Sequence, residues 1–142
     1  MKMDRAIPMK GFILLFVLVF SYFNLAKAQD LNVNSIWEHY KKTFVSKEGY
    51  VVDPYNNYRV TSEAEAYTML ISASLGDKDT FYKVWNWTDK NLKRKDNLFS
   101  WLFINKVIDK NNATDADIII AYSLLLGYKK WRDPSLLDSA DK

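Results

Sequence analysis

The chain has 142 residues, 20 Lys or Arg against 17 Asp or Glu, and no cysteine. Four of the basic and one of the acidic residues fall in residues 1–28, so residues 29–142 hold sixteen of each and the formal charge of +3 belongs to the start of the chain. A neutral remainder without a basic stripe interleaved with aromatics excludes a nucleic-acid groove, and the missing cysteines exclude a disulfide framework or a thiol-linked lipid.

Lys2, Arg5 and Lys10 precede an apolar run from Gly11 to Phe20, extended by Tyr22 and Phe23 and closed by Leu25-Ala26-Lys27-Ala28. A basic start, a short apolar middle and an A-x-A exit are the pattern of a secretory signal peptide cut after Ala28. Gly11 to Leu25 is fifteen residues, interrupted by Asn24, which is short of the ~20 that a membrane-spanning helix needs. The expectation is a signal peptide over 1–28, a mature segment over 29–142, and a secreted or periplasmic location.

The mature 114 residues suit one modest domain and contain all five tryptophans, Trp37, Trp85, Trp87, Trp101 and Trp131. Indoles are rarely fully buried because the N–H wants a partner. Such a domain either packs densely with aromatics or carries a face that stacks on a flat ligand.

Apolar spacing predicts a first helix from about Val33 to Val45, with Ile36, Trp37, Tyr40 and Phe44 on one face. Val51 to Tyr58 then reads as an irregular crossing around Pro54. A second helix begins at Thr61 or Ser62. Ser62 and Glu65 have the spacing of a capping box, Ala66, Met69, Leu70 and Ala73 form an inward stripe, and Gly76 is the stop. The third starts at Asp77 or Asp79 and runs to about Leu92, burying Phe81, Val84, Trp85, Thr88 and Leu92. The short link between them predicts an antiparallel helical hairpin.

Lys93 to Ala113 contains Leu98-Phe99-Ser100-Trp101-Leu102-Phe103. That stretch is too apolar for a free loop and is expected to fold back over the helices. A fourth helix follows Thr114, with Thr114 and Asp117 as a second capping box. Its run from Ile118 to Leu126 is apolar almost all round, the signature of a helix covered on every side. Three helices and one loop cannot cover Ile118, Ile119, Tyr122, Leu125 and Leu126 together, so an exposed apolar flank is expected. Pro134 opens a fifth helical stretch.

Few residues can do chemistry. His39 is the single histidine and sits mid-helix; with no cysteine beside it, the usual zinc sites are excluded and no metal or cofactor is expected. No nucleophile elbow accompanies it, and the four glycines are too scattered for a phosphate loop. Carboxylates remain. Glu63 falls in the first turn of the second helix and Asp115 in the first turn of the fourth, where free amides favour an anion. Both can be ordinary first-turn acids. They can also flank a glycosidic bond, whose hydrolysis needs one protonated carboxyl and one carboxylate.

Two strings point further. Ser62-Glu63-Ala64-Glu65-Ala66-Tyr67-Thr68-Met69 resembles the proton-donor motif S-E-G-Q-x-Y-G-M of family 8 glycoside hydrolases. Ala113-Thr114-Asp115-Ala116-Asp117 through Trp131 is similar to that family's A-[ST]-D-[AG]-D signature, departing at Gly127, where alanine is usual. Phe81 to Leu92 and Leu98-Phe99-Ser100-Trp101 are similar to the segments between, in the family's order, so that the resemblance covers nearly all of residues 36–140.

The resemblance implies an all-α fold, a partial (α/α)6 barrel of the six-hairpin type with four to five of its helices present. It implies hydrolysis of β-1,4 bonds in cellulose or related β-glucans, with xylan or chitosan as other substrates of the family, and inversion at the cleaved carbon. Glu63 would be the general acid and Asp115 the acid that holds the distorted sugar. Trp101 would stack in a glucose subsite, with Tyr67 and Asp117 also on substrate. The family's base comes from a later part of the barrel, and nothing in these residues stands in for it. Ala64, Glu65, Ala66 and Thr68 depart from the usual donor motif; the extra carboxyl at Glu65 replaces a neutral amide. Two functions therefore stand: a β-1,4-glucan hydrolase, and a truncated, inactive secreted remnant that binds glycan. In either case the partner is a polysaccharide, with a missing C-terminal half or self-association through the fourth helix covering the apolar flank.

Overall fold

The computed structural model describes residues 32–142; the expected signal peptide lies outside the described residues. Two units are distinguished, one ending at Tyr40 and one from Lys41 to Lys142. Residues 32–44 are helical (α1). In the first unit Trp37 stacks on Tyr40 with ring centroids 5.4 Å apart. Ile36, expected on the buried face, is exposed, while Trp37 is buried. His39 is exposed, as a mid-helix surface residue should be.

The second unit is built on α2 (Ser62–Leu75), α3 (Lys78–Asn91), α4 (Thr114–Trp131) and α5 (Pro134–Ala140). The α2–α3 hairpin forms as its sequence dictates. Gly76 takes the left-handed conformation (φ 81°) that closes α2, and the Asp77 side chain caps α3 by accepting from the Thr80 N–H at 3.1 Å. Ala66, Met69 and Ala73 of α2 and Phe81, Val84, Trp85, Thr88 and Leu92 of the third helical segment are buried on the expected faces. α2 also packs along α4, whose buried side is Ala116, Ile120, Ser123, Leu124 and Gly127. Leu136 of α5 is fully buried, and its helix opens with Pro134 under an Asp133 cap.

Gly127 lets these elements meet. A β-carbon there would stand 3.0 Å from Leu136, 3.1 Å from Phe81 and 3.1 Å from Trp131, groups on α5, α3 and α4. The apolar flank expected on α4 is present: Ile118, Tyr122 and Leu125 are exposed. Ile119 and Leu126 are half-buried instead.

The segment Lys93 to Ala113 does fold over the helices, and it does so as a β-hairpin that helical spacing did not foresee. β2 (Ser100–Ile104) and β3 (Lys106–Asn112) pair antiparallel around Asn105, and β2 also pairs antiparallel with the two-residue β1 (Val60–Thr61). The sheet order is β1-β2-β3, with Val60 opposite Phe103 and Phe103 opposite Val107.

Candidate functional site

β1 runs directly into α2 and β3 directly into α4. Both strands are antiparallel to β2, so they run the same way on its two sides and deliver the first turns of α2 and α4 to one end of the sheet. Two interstrand spacings separate those strands, ~10 Å across. Each helix carries an acid as its second residue, Glu63 on α2 and Asp115 on α4.

The N-cap of α2 is Thr61, whose Oγ1 accepts from the Ala64 N–H at 3.3 Å. The capping box expected from Ser62 and Glu65 is therefore not formed; the cap lies one residue earlier. Ser62 is fully buried and donates its hydroxyl to Glu63 Oε2 at 3.2 Å. Glu63 itself is half-buried. Tyr67 lies one turn further along the same face and is 49% exposed.

Glu65 turns the other way, into the core. It is fully buried, accepting the Val51 N–H at Oε1 (2.7 Å) and the Thr88 hydroxyl at Oε2 (3.4 Å). No Lys or Arg pairs with it among the described residues. Loss of hydration raises its pKa well above the ordinary value, against the opposing pull of those two hydrogen bonds. Thr61 and Glu65 together thus hold the start of α2 to β1, to the crossing at Val51 and to α3.

The N-cap of α4 is Ala113, with no side-chain cap, so the second expected capping box also fails. Asp117 has been claimed by tertiary partners: Oδ1 accepts the Phe99 N–H at 3.0 Å and Oδ2 accepts the Asn112 amide at 2.7 Å. It pins the hairpin to α4 and thereby fixes where Asp115 starts. Asp115 is exposed at the helix mouth.

Trp101 projects from β2, between the strands that lead to the two acids, and is half-buried. Its indole N–H donates to Asp109, holding that carboxyl below its usual pKa together with the Asn111 N–H. The five indoles divide between the two uses that composition allowed: Trp37 and Trp85 are buried, while Trp87, Trp101 and Trp131 remain half-open. Trp131 leans on Phe81 (centroids 4.9 Å) and on Tyr82 (5.7 Å), and Tyr82 donates its hydroxyl to Asp133 at 2.6 Å. Burial, then that bond and the Asp133 charge, push the Tyr82 phenol up to about 12.

The structural roles of Glu65 and Asp117 escaped the sequence reading. A signal for the first existed: positions 62, 65, 66, 69, 72 and 73 share the inward phase of α2.

The family described as glycosyl hydrolases family 8 matches residues 7–142. An endoglucanase of Cellulomonas uda is 36% identical over 110 residues, covering 74% of this chain and 31% of that protein. A probable endoglucanase of Novacetimonas hansenii is 38% identical over 109 residues, covering 73% and 32%. Among solved structures, the family 8 endoglucanase Cel10 of Klebsiella pneumoniae is 34% identical with a TM-score of 0.72, over 75% of this chain and 36% of that one. A reducing-end-xylose releasing exo-oligoxylanase shares the fold at 20% identity and a TM-score of 0.61. The chain thus spans about a third of the length of the curated relatives it matches.

Proposed function

The chain belongs to glycosyl hydrolase family 8, with a partial (α/α)6 fold, and we propose that it carries the proton-donor side of a site that hydrolyses β-1,4-glucosidic bonds in cellulose or related β-glucans. One observation carries the proposal. Glu63 and Asp115 occupy the same second position of α2 and α4, whose leading strands flank the strand that bears Trp101.

Glu63 gives its proton to the glycosidic oxygen as the bond from that oxygen to the anomeric carbon breaks. Water adds to the opposite face of that carbon and loses a proton to a carboxylate base, inverting the configuration. Asp115 holds hydroxyls of the distorted sugar, Trp101 stacks on a ring, and Tyr67 lines the approach to the acid. Asp117 acts on substrate through the position it gives the start of α4. The family resemblance puts the base in a part of the barrel beyond the portion matched here. Further barrel, of the kind the family resemblance implies, would bring the base to the acid.

A second reading is a secreted glycan-binding protein without turnover. Reducing-sugar release from carboxymethyl-cellulose and lichenan, measured beside Glu63→Gln, separates the two. Turnover lost in that variant supports the hydrolase. Binding that survives without turnover in the parent supports the second reading. Export with cleavage after Ala28 is part of the proposal; the sequence of the first thirty residues supports it, and mass spectrometry of the mature N-terminus tests it.

A further inference from the structure

A separate cavity of about 370 Å³ opens between the crossing that follows α1, the side of α3 and the β-hairpin. None of Glu63, Tyr67, Trp101, Asp115 and Asp117 lines it. Its walls are aromatic: Trp87 is held between Tyr50 (centroids 5.4 Å, planes at 52°) and Phe103 (5.1 Å, 83°). These ring contacts on two sides fix the indole in one orientation before anything binds. Tyr58 stands at the mouth, 69% exposed.

Three features say what this cavity would take. No charged side chain lines it, which disfavours phosphates, carboxylates and polyelectrolytes. Most of its polar groups are unspent: Ser46 Oγ accepts the Gly49 and Tyr50 N–H groups, but among the described residues no hydrogen bond uses the Asn105 amide side chain, the Tyr50 or Tyr58 hydroxyl, or the Trp87 indole N–H. And Tyr58 has φ 53°, directly after Asn57 at 56°. A bulky residue in the left-handed region is strained, and such strain gathers at ligand clamps. Here it holds an aromatic side chain outward, where no core packing offsets it. Flat apolar walls alternating with neutral donors and acceptors match a pyranose, which offers an apolar ring face edged by hydroxyls. The volume lies at the small end of the ~300–1,000 Å³ range of small-ligand sites, enough for a short stretch of chain.

We propose that this cavity is a second, non-catalytic binding site for a neutral β-linked glucan, gripping the polysaccharide away from the acids. The choice of glucan rests on the family 8 reading above; the cavity's chemistry stands without it.

The test is electrophoresis of the native protein through gels containing lichenan or hydroxyethyl-cellulose, with a tryptophan-fluorescence titration of cellotetraose. Tyr58→Ala and Trp87→Ala are expected to weaken binding on the order of tenfold each, the worth of one aromatic anchor. Trp101→Ala removes the ring platform of the acid site and should lower that retardation only in part. Tyr58 is exposed, so its variant keeps the fold even where Trp87→Ala disturbs it, and circular dichroism checks both. Parent-like binding by Tyr58→Ala overturns the proposal. So does retardation abolished by Trp101→Ala alone, absence of retardation by any neutral glucan, or preference for anionic polygalacturonate. Sugar release sensitive to Glu63→Gln would leave the hydrolase reading intact in each of those cases.

Discussion

The buried carboxyl of Glu65 accepts the Val51 N–H at 2.7 Å, fastening the crossing chain to the helix that carries Glu63. With no cation beside Glu65, burial raises its pKa well above the ordinary carboxylate range, so the folded chain holds a proton there more firmly than the unfolded chain does. The folded state then binds a proton that the unfolded state releases above ~4.3, the ordinary glutamate value. Stability is fully present below that pH and falls as pH rises toward the raised value, by at most ~1.4 kcal/mol per pH unit. Glu65→Gln keeps the acceptor for Val51 and cannot ionise, so its melting temperature should be flatter over the same range. Glu65→Ala should cost ~2–4 kcal/mol at low pH, from the orphaned N–H and the cavity, and less as pH rises. Parallel pH profiles for the parent and Glu65→Gln in thermal melts would count against a raised pKa at Glu65.

Asp117→Ala removes the acceptor of the Phe99 N–H and of the Asn112 amide. A loss of ~1–3 kcal/mol is expected, with faster amide exchange at Phe99. Unchanged exchange there would mean that the hairpin is held by its strand pairing alone.

Gly127→Ala tests the packing where α3, α4 and α5 meet. Alanine gains ~1 kcal/mol of helix propensity, but the new methyl meets neighbours at 3.0 to 3.1 Å on three elements. Overpacking of that kind costs ~1–3 kcal/mol, and Phe81 and Leu136 are fully buried with nowhere to retreat. A net loss of about 1 kcal/mol is expected, seen as a melting temperature lower by a few degrees. A higher melting temperature would show that the three neighbours can part.

The outer sides of α2 and α4 carry Tyr67, Ile71 and Leu75, and Ile118, Tyr122 and Leu125, all exposed. The purified protein should bind a hydrophobic dye and associate with increasing concentration. Replacing Ile118, Tyr122 and Leu125 by serine should suppress both with little loss of stability, since these side chains lie outside the core. A monodisperse, dye-negative parent in size-exclusion chromatography contradicts this.

Residues 29–142 by themselves should hydrolyse lichenan at least ~10²-fold more slowly than an enzyme holding both acid and base, the usual contribution of one proton-transfer group. Rapid turnover that disappears in Glu63→Gln would overturn this expectation and locate a base within these residues.

Side-chain periodicity made the buried face of α3 legible, because Phe81, Val84, Trp85, Thr88 and Leu92 all bury as the helical pattern requires. Both acids were legible too, as first-turn residues of helices with clear starts. The hairpin was not. β1 is only two residues long, and β3, Lys-Val-Ile-Asp-Lys-Asn-Asn, is too polar to resemble a strand until β2 pairs with it. The capping boxes misled for one shared reason. Local spacing offered Glu65 and Asp117 to their own helices, whereas Val51, Thr88, Phe99 and Asn112, all distant in chain or outside the helix, took them instead. Spacing sees neighbours along the chain and cannot see which partner arrives from elsewhere.

The three-stranded sheet also sets an order of assembly. The α2–α3 hairpin and the β2–β3 turn at Asn105 join residues close in sequence, so each closes a small loop and forms early. The Val60–Phe103 pairing must instead wait until the whole helical hairpin between them has folded back. That late step ties the start of α2 to the strand that leads toward the start of α4. The acid-bearing turns are therefore expected to be the last part of the second unit to become ordered and the first to open on unfolding.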